Sequence, residues 1–426
     1  MKSRWLWIVL AVALVLRLVN AFVLPWQGDE RVISDMAAYD RAAVALLHQE
    51  PLGVHTAEKY LFHPLGSDTY HPPGYYYFLA AIYAVAGHHY WVVRVVQAVL
   101  DTMTCLLVYR LGKDVAGETV GLLSGALVAV YPPFILYTGV LLTETLSMFL
   151  LVAAAALVLH FSESNVPWRW RSMLGAGILL GLAALTRSVL LVMVPVILVW
   201  ALWMGPRWPG YKSALGYGLA LVAPVILVIA PITVRNYQLH ERFILISTNG
   251  GVNFFLGHGG TERVKYQVRN IPEDPVPGQL IGISNRTAPE EEDYFYELGW
   301  RYIVASPWRT VRRLPGKLQQ MYWASEYWPA TDAQVRILRA SDWVLWRLGA
   351  LPWALLGLWH WRDRLFIRRL LLYGLMGATL VIPLAFWAQP RFRVPVVPFF
   401  FVLASAAAVT ALQGWRPSAI SQQRSF

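Results

Sequence analysis

Cysteine is almost absent from this 426-residue chain, and the single residue, Cys105, lies inside an apolar run. A disulfide framework and a cysteine-built metal site are both excluded. Charge is also scarce, at 14% of residues, whereas a soluble domain carries about a quarter. With 57% hydrophobic residues, this excludes a disordered chain, a fibrous repeat and an ordinary soluble enzyme. No internal repeat or low-complexity tract is present, and there is neither a Walker-type glycine-rich loop nor a Rossmann fingerprint. Acidic residues are the minority charge, 25 against 36 basic, for a net +11. In a membrane protein the plain cause of that excess is cytoplasmic Lys and Arg, so it calls for no nucleic-acid partner.

The chain does have long apolar runs. A spanning helix needs about 20 apolar residues, and the runs fall at about 5–24, 91–110, 118–137, 141–161, 172–186, 188–204, 213–233, 343–360, 367–388 and 394–413. The expected fold is therefore an all-α polytopic membrane protein with about ten transmembrane helices. The first run follows Lys2 and Arg4 and reads as an uncleaved signal anchor. With the N-terminus inside, fourteen basic residues fall on short inner segments. Only three, Arg187, Arg391 and Arg393, fall on short outer turns. That asymmetry places both termini in the cytoplasm of a plasma (inner) membrane.

Three blocks follow: a transmembrane module over 1–233 that carries a first outer loop at 25–90, an outer subdomain over 234–341, and C-terminal spans over 342–426. His71–Gly87 is apolar, yet a crossing there would move Arg110 and Lys113 outside. It is expected to lie in the outer interface, as is a second helix carrying Val32, Met36, Tyr39, Ala43 and Leu46. Arg242–Ser247 is β-like, and helical patterns follow around Tyr294–Ala305 and Arg309–Lys317, so the outer subdomain is expected to be small and mixed α/β.

Polar residues gather on the outer side. Asp29 and Glu30 follow the first span, Tyr70, His71 and Tyr75 open the interfacial helix, and Glu144 starts a span. Arg187, Arg235, Arg391 and Arg393 lie at the same level, while Asn249 and His258 belong to the outer subdomain. Carboxylates and arginines at one depth suit a reaction on a lipid-linked phosphate, because arginine binds phosphate bidentately and a carboxylate accepts a hydroxyl proton. Each group also has a plain structural reading. Asp29-Glu30 and Glu144 are equally helix caps, an arginine at a membrane rim snorkels to headgroups, and a histidine needs only a hydrogen bond. Two charges lie deeper, Arg17 and Asp101, and are expected to pair in the bundle interior.

Several stretches then resemble one superfamily. They are Pro25-Trp26-Gln27-Gly28-Asp29-Glu30, His71-Pro72-Pro73-Gly74-Tyr75-Tyr76, Tyr131-Pro132 with Thr143-Glu144, Leu185-Thr186-Arg187, Arg235-Asn236-Tyr237 with Ser247-Thr248-Asn249-Gly250-Gly251, and Arg391-Phe392-Arg393-Val394-Pro395. In that order they look like the GT-C glycosyltransferases, nearest the protein O-mannosyltransferase-like and lipid A aminoarabinose transferase-like branches. The resemblance implies a GT-C-like bundle in a prokaryotic inner membrane and an inverting transfer of a sugar from a polyprenyl-phosphate donor. The acceptor would be a glycan, lipid or protein hydroxyl on the outer face.

The resemblance also assigns roles. Asp29 would be the base, with Glu30 helping to hold the acceptor and Glu144 assisting the acceptor or a metal; by the residues' own placement at the rim, the donor phosphate would sit near Arg187, Arg235, Arg391 or Arg393. Tyr70, His71, Tyr75, Asn249 and His258 would line the pocket. A divalent metal would fall to His71 and Glu144, and no other cofactor is called for. Where the aminoarabinose branch has Glu-Lys, this chain has His71-Pro72, which removes a phosphate-binding lysine. The competing class is a transporter or flippase of a lipid-linked sugar. It favours inverted repeats and groups at the bilayer midplane, and this sequence shows no such repeat.

Overall fold

A computed structural model describes residues 2–22, 35–49, 69–161, 166–204, 211–258, 287–325, 332–356 and 366–412. The first half runs α1 (Lys2–Phe22), α2 (Asp35–Leu47), α3 (Gly74–Ala86), α4 (Tyr90–Ala116), α5 (Glu118–Val130), α6 (Pro132–Thr138), α7 (Glu144–Phe161) and α8 (Val166–Thr186). A 3-10 turn (Ser188–Val192) leads into α9 (Met193–Met204), followed by α10 (Tyr211–His240) and α11 (Gly250–His258). Next come α12 (Ala288–Ala305), α13 (Pro307–Trp323) and α14 (Asp332–Ser341), and then a π-helical stretch (Asp342–Ala350) continued by α15 (Leu351–Leu356). The chain closes with α16 (Phe366–Ala378), α17 (Val381–Ala385), a 3-10 segment (Pro390–Val396) and α18 (Val397–Leu412).

Among the described residues five helical segments are long and apolar enough to cross a membrane: Arg4–Phe22, Tyr90–Ala116, Leu215–His240, Arg368–Ala385 and Pro390–Leu412. A sixth arises if α5 and α6, bent by 56° at Tyr131, count as one span. The sequence pattern led us to expect ten. The remaining apolar runs do form helices, but they are shortened or interrupted. The run at 141–161 becomes helical only at Glu144, α8 spends its first turns on Arg169 and Arg171, and Arg187 separates α8 from the 3-10 turn. The run at 343–360 is split between a π-helix and the six residues of α15. The Gly74–Ala86 helix has 13 residues, too few to span.

No strand occurs among the described residues, so the mixed α/β expectation for the outer subdomain is not met there. The β-like stretch 242–247 lacks a partner strand. Its carbonyls are instead satisfied by side chains from the end of α10: Thr233 Oγ1 donates to Leu245 O at 2.7 Å, and Asn236 Nδ2 donates to Ile244 O and Ile246 O at 3.3 and 3.1 Å. The carbonyls of this irregular stretch are thus satisfied without a ladder.

The main core is an apolar cluster running through α4, α7, α8 and α18. Small residues allow the closest approaches. A Cβ on Gly112 of α4 would sit 2.8 Å from the Gly121 Cα of α5. Arg17 and Asp101 do pair: Arg17 Nε meets Asp101 Oδ2 at 2.5 Å, both are fully buried, and the guanidinium also donates to Ala13 O, Val128 O and Ala129 O. Those extra bonds offset the lost hydration of the guanidinium, while Asp101 Oδ1 is enclosed without a hydrogen-bond partner.

Candidate active site

Five segments converge at one end of the bundle: the start of α2, the 69–74 turn, the turn into α7, and the two 3-10 segments that follow α8 and α17. Gly74 is required where α3 meets the end of α8, since a Cβ there would lie 2.7 Å from the Leu185 carbonyl carbon. That contact seats the His71-Pro72-Pro73-Gly74 turn beside Thr186 and Arg187. Gln97, buried in α4, fixes the turn before α7. Its amide donates to Thr138 O at 3.1 Å and Val140 O at 2.9 Å, and its Oε1 accepts the Tyr75 hydroxyl at 2.9 Å.

Glu144, the first residue of α7, is fully buried. Arg187 Nη1 donates to its Oε1 at 2.8 Å and contacts Thr143 Oγ1 at 3.3 Å. Arg391 Nε lies 3.7 Å from the same Oε1, and Arg391 Nη2 donates to Asp35 Oδ2 at 3.0 Å. The Phe392 ring packs against both guanidinium groups, at 5.4 Å from Arg187 and 5.6 Å from Arg391. Glu144 Oε2 and Thr145 Oγ1 are enclosed yet have no hydrogen-bond partner. A buried carboxylate with one oxygen held by arginines and the other open is poised to receive a donor.

Aromatic residues wall this cluster. Tyr39 packs edge-on against Tyr75 at 5.1 Å and lies 5.0 Å from His71. Burial, with Asp35 next, holds the Tyr39 hydroxyl well above its ordinary pKa. His71 also packs edge-on against Tyr70 at 4.8 Å. Tyr70 belongs to a second core with Val252, Phe255, Phe295 and Leu298, through which α11 and α12 close over the 69–74 turn. Burial, then Asp35 and Glu291, raises the Tyr70 hydroxyl as well. Thr248 N donates to Thr69 O at 2.9 Å, and Ser188 and Ser247 meet at 2.9 Å, so the same cover is bonded to the rim.

Not every expected residue reaches this cluster. Arg393, two residues past Arg391, is fully buried with Asp342 at 2.7 Å and donates to Met321 O and Ala324 O. Asp342 accepts the Tyr131 hydroxyl at 2.6 Å, and the Arg393 guanidinium lies 4.8 Å over Trp346. Arg235 donates to Asn236 Oδ1 at 3.3 Å on the last turns of α10. Asn249 accepts from Ser247 Oγ at 3.3 Å and caps α11. His258 ends α11, where its Nε2 donates to Ala385 O at 3.1 Å. Burial, with Lys317 next to it, lowers the His258 pKa to about 4. Asp29 and Glu30 lie outside the described residues.

Two participants were missed by sequence reasoning. Asp35 sits six residues past Asp29, and its signal was a third carboxylate in one short stretch. Gln97 signalled itself as an amide in an otherwise apolar run. Among the described residues no three His, Cys, Asp or Glu side chains converge as metal ligands. His71 is packed between the Tyr39 and Tyr70 rings.

Residues 70–234 match the dolichyl-phosphate-mannose-protein mannosyltransferase family. No protein of curated function matches the chain in sequence. Among solved structures it is similar to the Archaeoglobus fulgidus oligosaccharyltransferase, with a TM-score of 0.58 at 15% identity over 96% of this chain and 50% of that one. ArnT from Cupriavidus metallidurans, in a complex with undecaprenyl phosphate, aligns with a TM-score of 0.43 at 16% identity over 98% of this chain and 82% of that one. The S. cerevisiae protein O-mannosyltransferase complex bound to its sugar donor gives 0.42 at 19% identity over 62% of this chain and 37% of that one. The chain spans about half the length of the oligosaccharyltransferase. Sequence match and helical architecture agree, and the fold of this chain is that of the GT-C glycosyltransferases.

Proposed function

We propose that the chain is an inverting glycosyltransferase. It moves a sugar from a polyprenyl-phosphate donor to a hydroxyl acceptor, borne on a glycan, lipid or protein, at the outer face of the inner membrane. The observation that carries this reading is the Glu144–Arg187–Arg391–Asp35 cluster at one end of a GT-C bundle. The Archaeoglobus oligosaccharyltransferase, which shares the fold at a TM-score of 0.55, has been solved with a dolichol-phosphate, and that supports a lipid-phosphate donor here.

In the reaction the acceptor oxygen forms a bond to the anomeric carbon as the bond from that carbon to the phosphate oxygen breaks. The acceptor proton passes to a carboxylate, for which Asp29 is the assigned base. The electron pair of the broken bond leaves on polyprenyl phosphate. Arg187 and Arg391, held by Glu144 and Asp35 and backed by Phe392, are placed to stabilise the charge that grows there. Preset cations at a poorly hydrated rim act more strongly than in water. Glu144 positions Arg187 through Oε1 and leaves Oε2 for an acceptor hydroxyl, with Glu30 beside the acceptor. The α11–α12 cover excludes water that would hydrolyse the donor.

The test uses purified protein in detergent, a polyprenyl-phosphate sugar and a hydroxyl acceptor. Product should form with wild type and fail with Asp29→Asn in a variant that still folds. Detergent leaves no two compartments, so absence of product under any donor, together with donor movement in vesicles, would replace this reading with a flippase.

A further inference from the structure

A second cationic centre lies where α13 crosses the ends of α11 and α17. The Lys317 ammonium of α13 is enclosed and has no hydrogen-bond partner. His258 Nδ1 is likewise enclosed and unpartnered, since the ring is committed through Nε2 to Ala385 O. Arg313, one turn before Lys317, donates from Nη1 to His258 O at 3.0 Å, which ties this face of α13 to the end of α11. Lys317 and Arg313 both act electrostatically on His258, and Arg313 acts on Lys317. Folded proteins rarely leave buried polar groups unmatched, and two enclosed, unmatched nitrogens beside the Arg313 guanidinium call for a compact anion with several acceptor oxygens.

We infer that Lys317, Arg313 and His258 form a seat for a phosphate ester, distinct from the Glu144 cluster. A phosphate supplies acceptors to the ammonium and the guanidinium at once. It also favours a second proton on His258, at Nδ1, which then donates to the same anion. Empty, the seat keeps His258 neutral and its pKa near 4, and burial beside Arg313 lowers Lys317 to about 8.

The position of the seat gives it a use. One turn beyond Lys317, Met321 packs on Ile382 and Ala388, with Phe392 and Val189 alongside. Phe392 is the ring that backs Arg187 and Arg391. An apolar floor therefore connects the seat to the carboxylate–arginine cluster. This inference does not depend on the reaction proposed above.

The ester has two sources, an anionic phospholipid headgroup or a phosphate carried by a soluble or lipid-linked substrate. Thermal unfolding of the full chain in detergent separates them. The probes are sodium phosphate against sodium chloride at equal ionic strength, and dihexanoyl phosphatidylglycerol against dihexanoyl phosphatidylcholine. Wild type should gain several degrees, saturably, with phosphate or with phosphatidylglycerol. A response to free phosphate identifies the bare group as sufficient, and a response to phosphatidylglycerol alone identifies the headgroup. Lys317→Met should unfold at a higher temperature than wild type in chloride and bind the effective probe at least tenfold more weakly. Lys317→Arg should stay within about threefold of wild type. No specific shift in wild type, or an undiminished shift in Lys317→Met, overturns the seat. Should Lys317→Met fail to fold, the imidazole resonance of His258 in wild type decides. Its titration must move up from about 4 when the effective probe is added, and no movement overturns the proposal.

Discussion

Arg391 and Arg393 stand two residues apart on one 3-10 segment, and the protein treats them in opposite ways. The Arg393–Asp342 pair has no exposed side-chain surface and is ringed by two backbone carbonyls, the Tyr131 hydroxyl and the Trp346 face. The Arg391–Asp35 pair keeps 17% and 19% of its side-chain surface open. A sealed pair with its hydrogen bonds filled holds architecture together. An open pair beside a carboxylate with an unmatched oxygen can exchange partners with a ligand. Enclosure, more than the presence of an arginine, separates scaffold from site.

The largest expected effect tests the sealed side. Arg393→Ala strands the Asp342 carboxylate and should cost about 3–5 kcal/mol, seen as loss of monodisperse protein or a collapse in unfolding temperature. The double variant Arg393→Met, Asp342→Leu should recover most of that loss. Recovery would mark the pair as structural, and continued failure would assign it a further role. Beside the open pair, the buried Glu144 is the next test: Glu144→Gln should keep the fold and lower transfer by about a hundredfold, through a misplaced Arg187. Full activity in that variant would erase the distinction drawn here.

Glu292 offers a carboxylate held by backbone amides in place of arginine. It accepts the N–H groups of Gly250 and Gly251 at the start of α11, and burial raises its pKa to about 7. A raised carboxyl pKa in the folded state contributes stability that is complete below the ordinary value of 4.5 and is lost as pH rises through about 7. The docking of α11 on α12 should therefore loosen between about pH 4.5 and 7, by of order 1–2 kcal/mol after allowance for solvent. Hydrogen exchange of the Gly250 and Gly251 amides would report it, and Glu292→Gln should remove the dependence. The smallest effect on stability belongs to Arg391→Ala, about 1 kcal/mol, accompanied by a marked rise in donor KM. A large loss of fold in that variant would make the open pair another scaffold element.

The sequence was readable where physics leaves few choices. Two charges in apolar runs had to find each other, and Arg17 and Asp101 do. Glu144 and Arg187 were visible because both interrupt apolar runs at the same level, and they meet. Arg391 and Arg393 were indistinguishable in the sequence, because two arginines in an Arg-Phe-Arg string carry no mark of which one the bundle encloses. The strand expected at 242–247 failed because alternation and β-branching describe extended backbone and cannot reveal that Thr233 and Asn236 would take the place of a neighbouring strand. The expected ten spans are not confirmed among the described residues, where the bend at Tyr131 divides an apolar run that composition treats as continuous and several other runs form helices too short to cross. Asp35 escaped notice because a carboxylate on the first turn of a helix usually does no more than complement the helix dipole.

The brevity of the Arg391-Phe392-Arg393 string has a consequence for how a ligand is received. The Arg391 guanidinium is mounted on a post driven into the bundle two residues away, with an aromatic spacer between. It has few places to go, so the ordering that a flexible arginine would surrender on meeting an anion has already been completed during folding. The fold delivers a preorganised charge, and the free energy of contact is left for the chemistry.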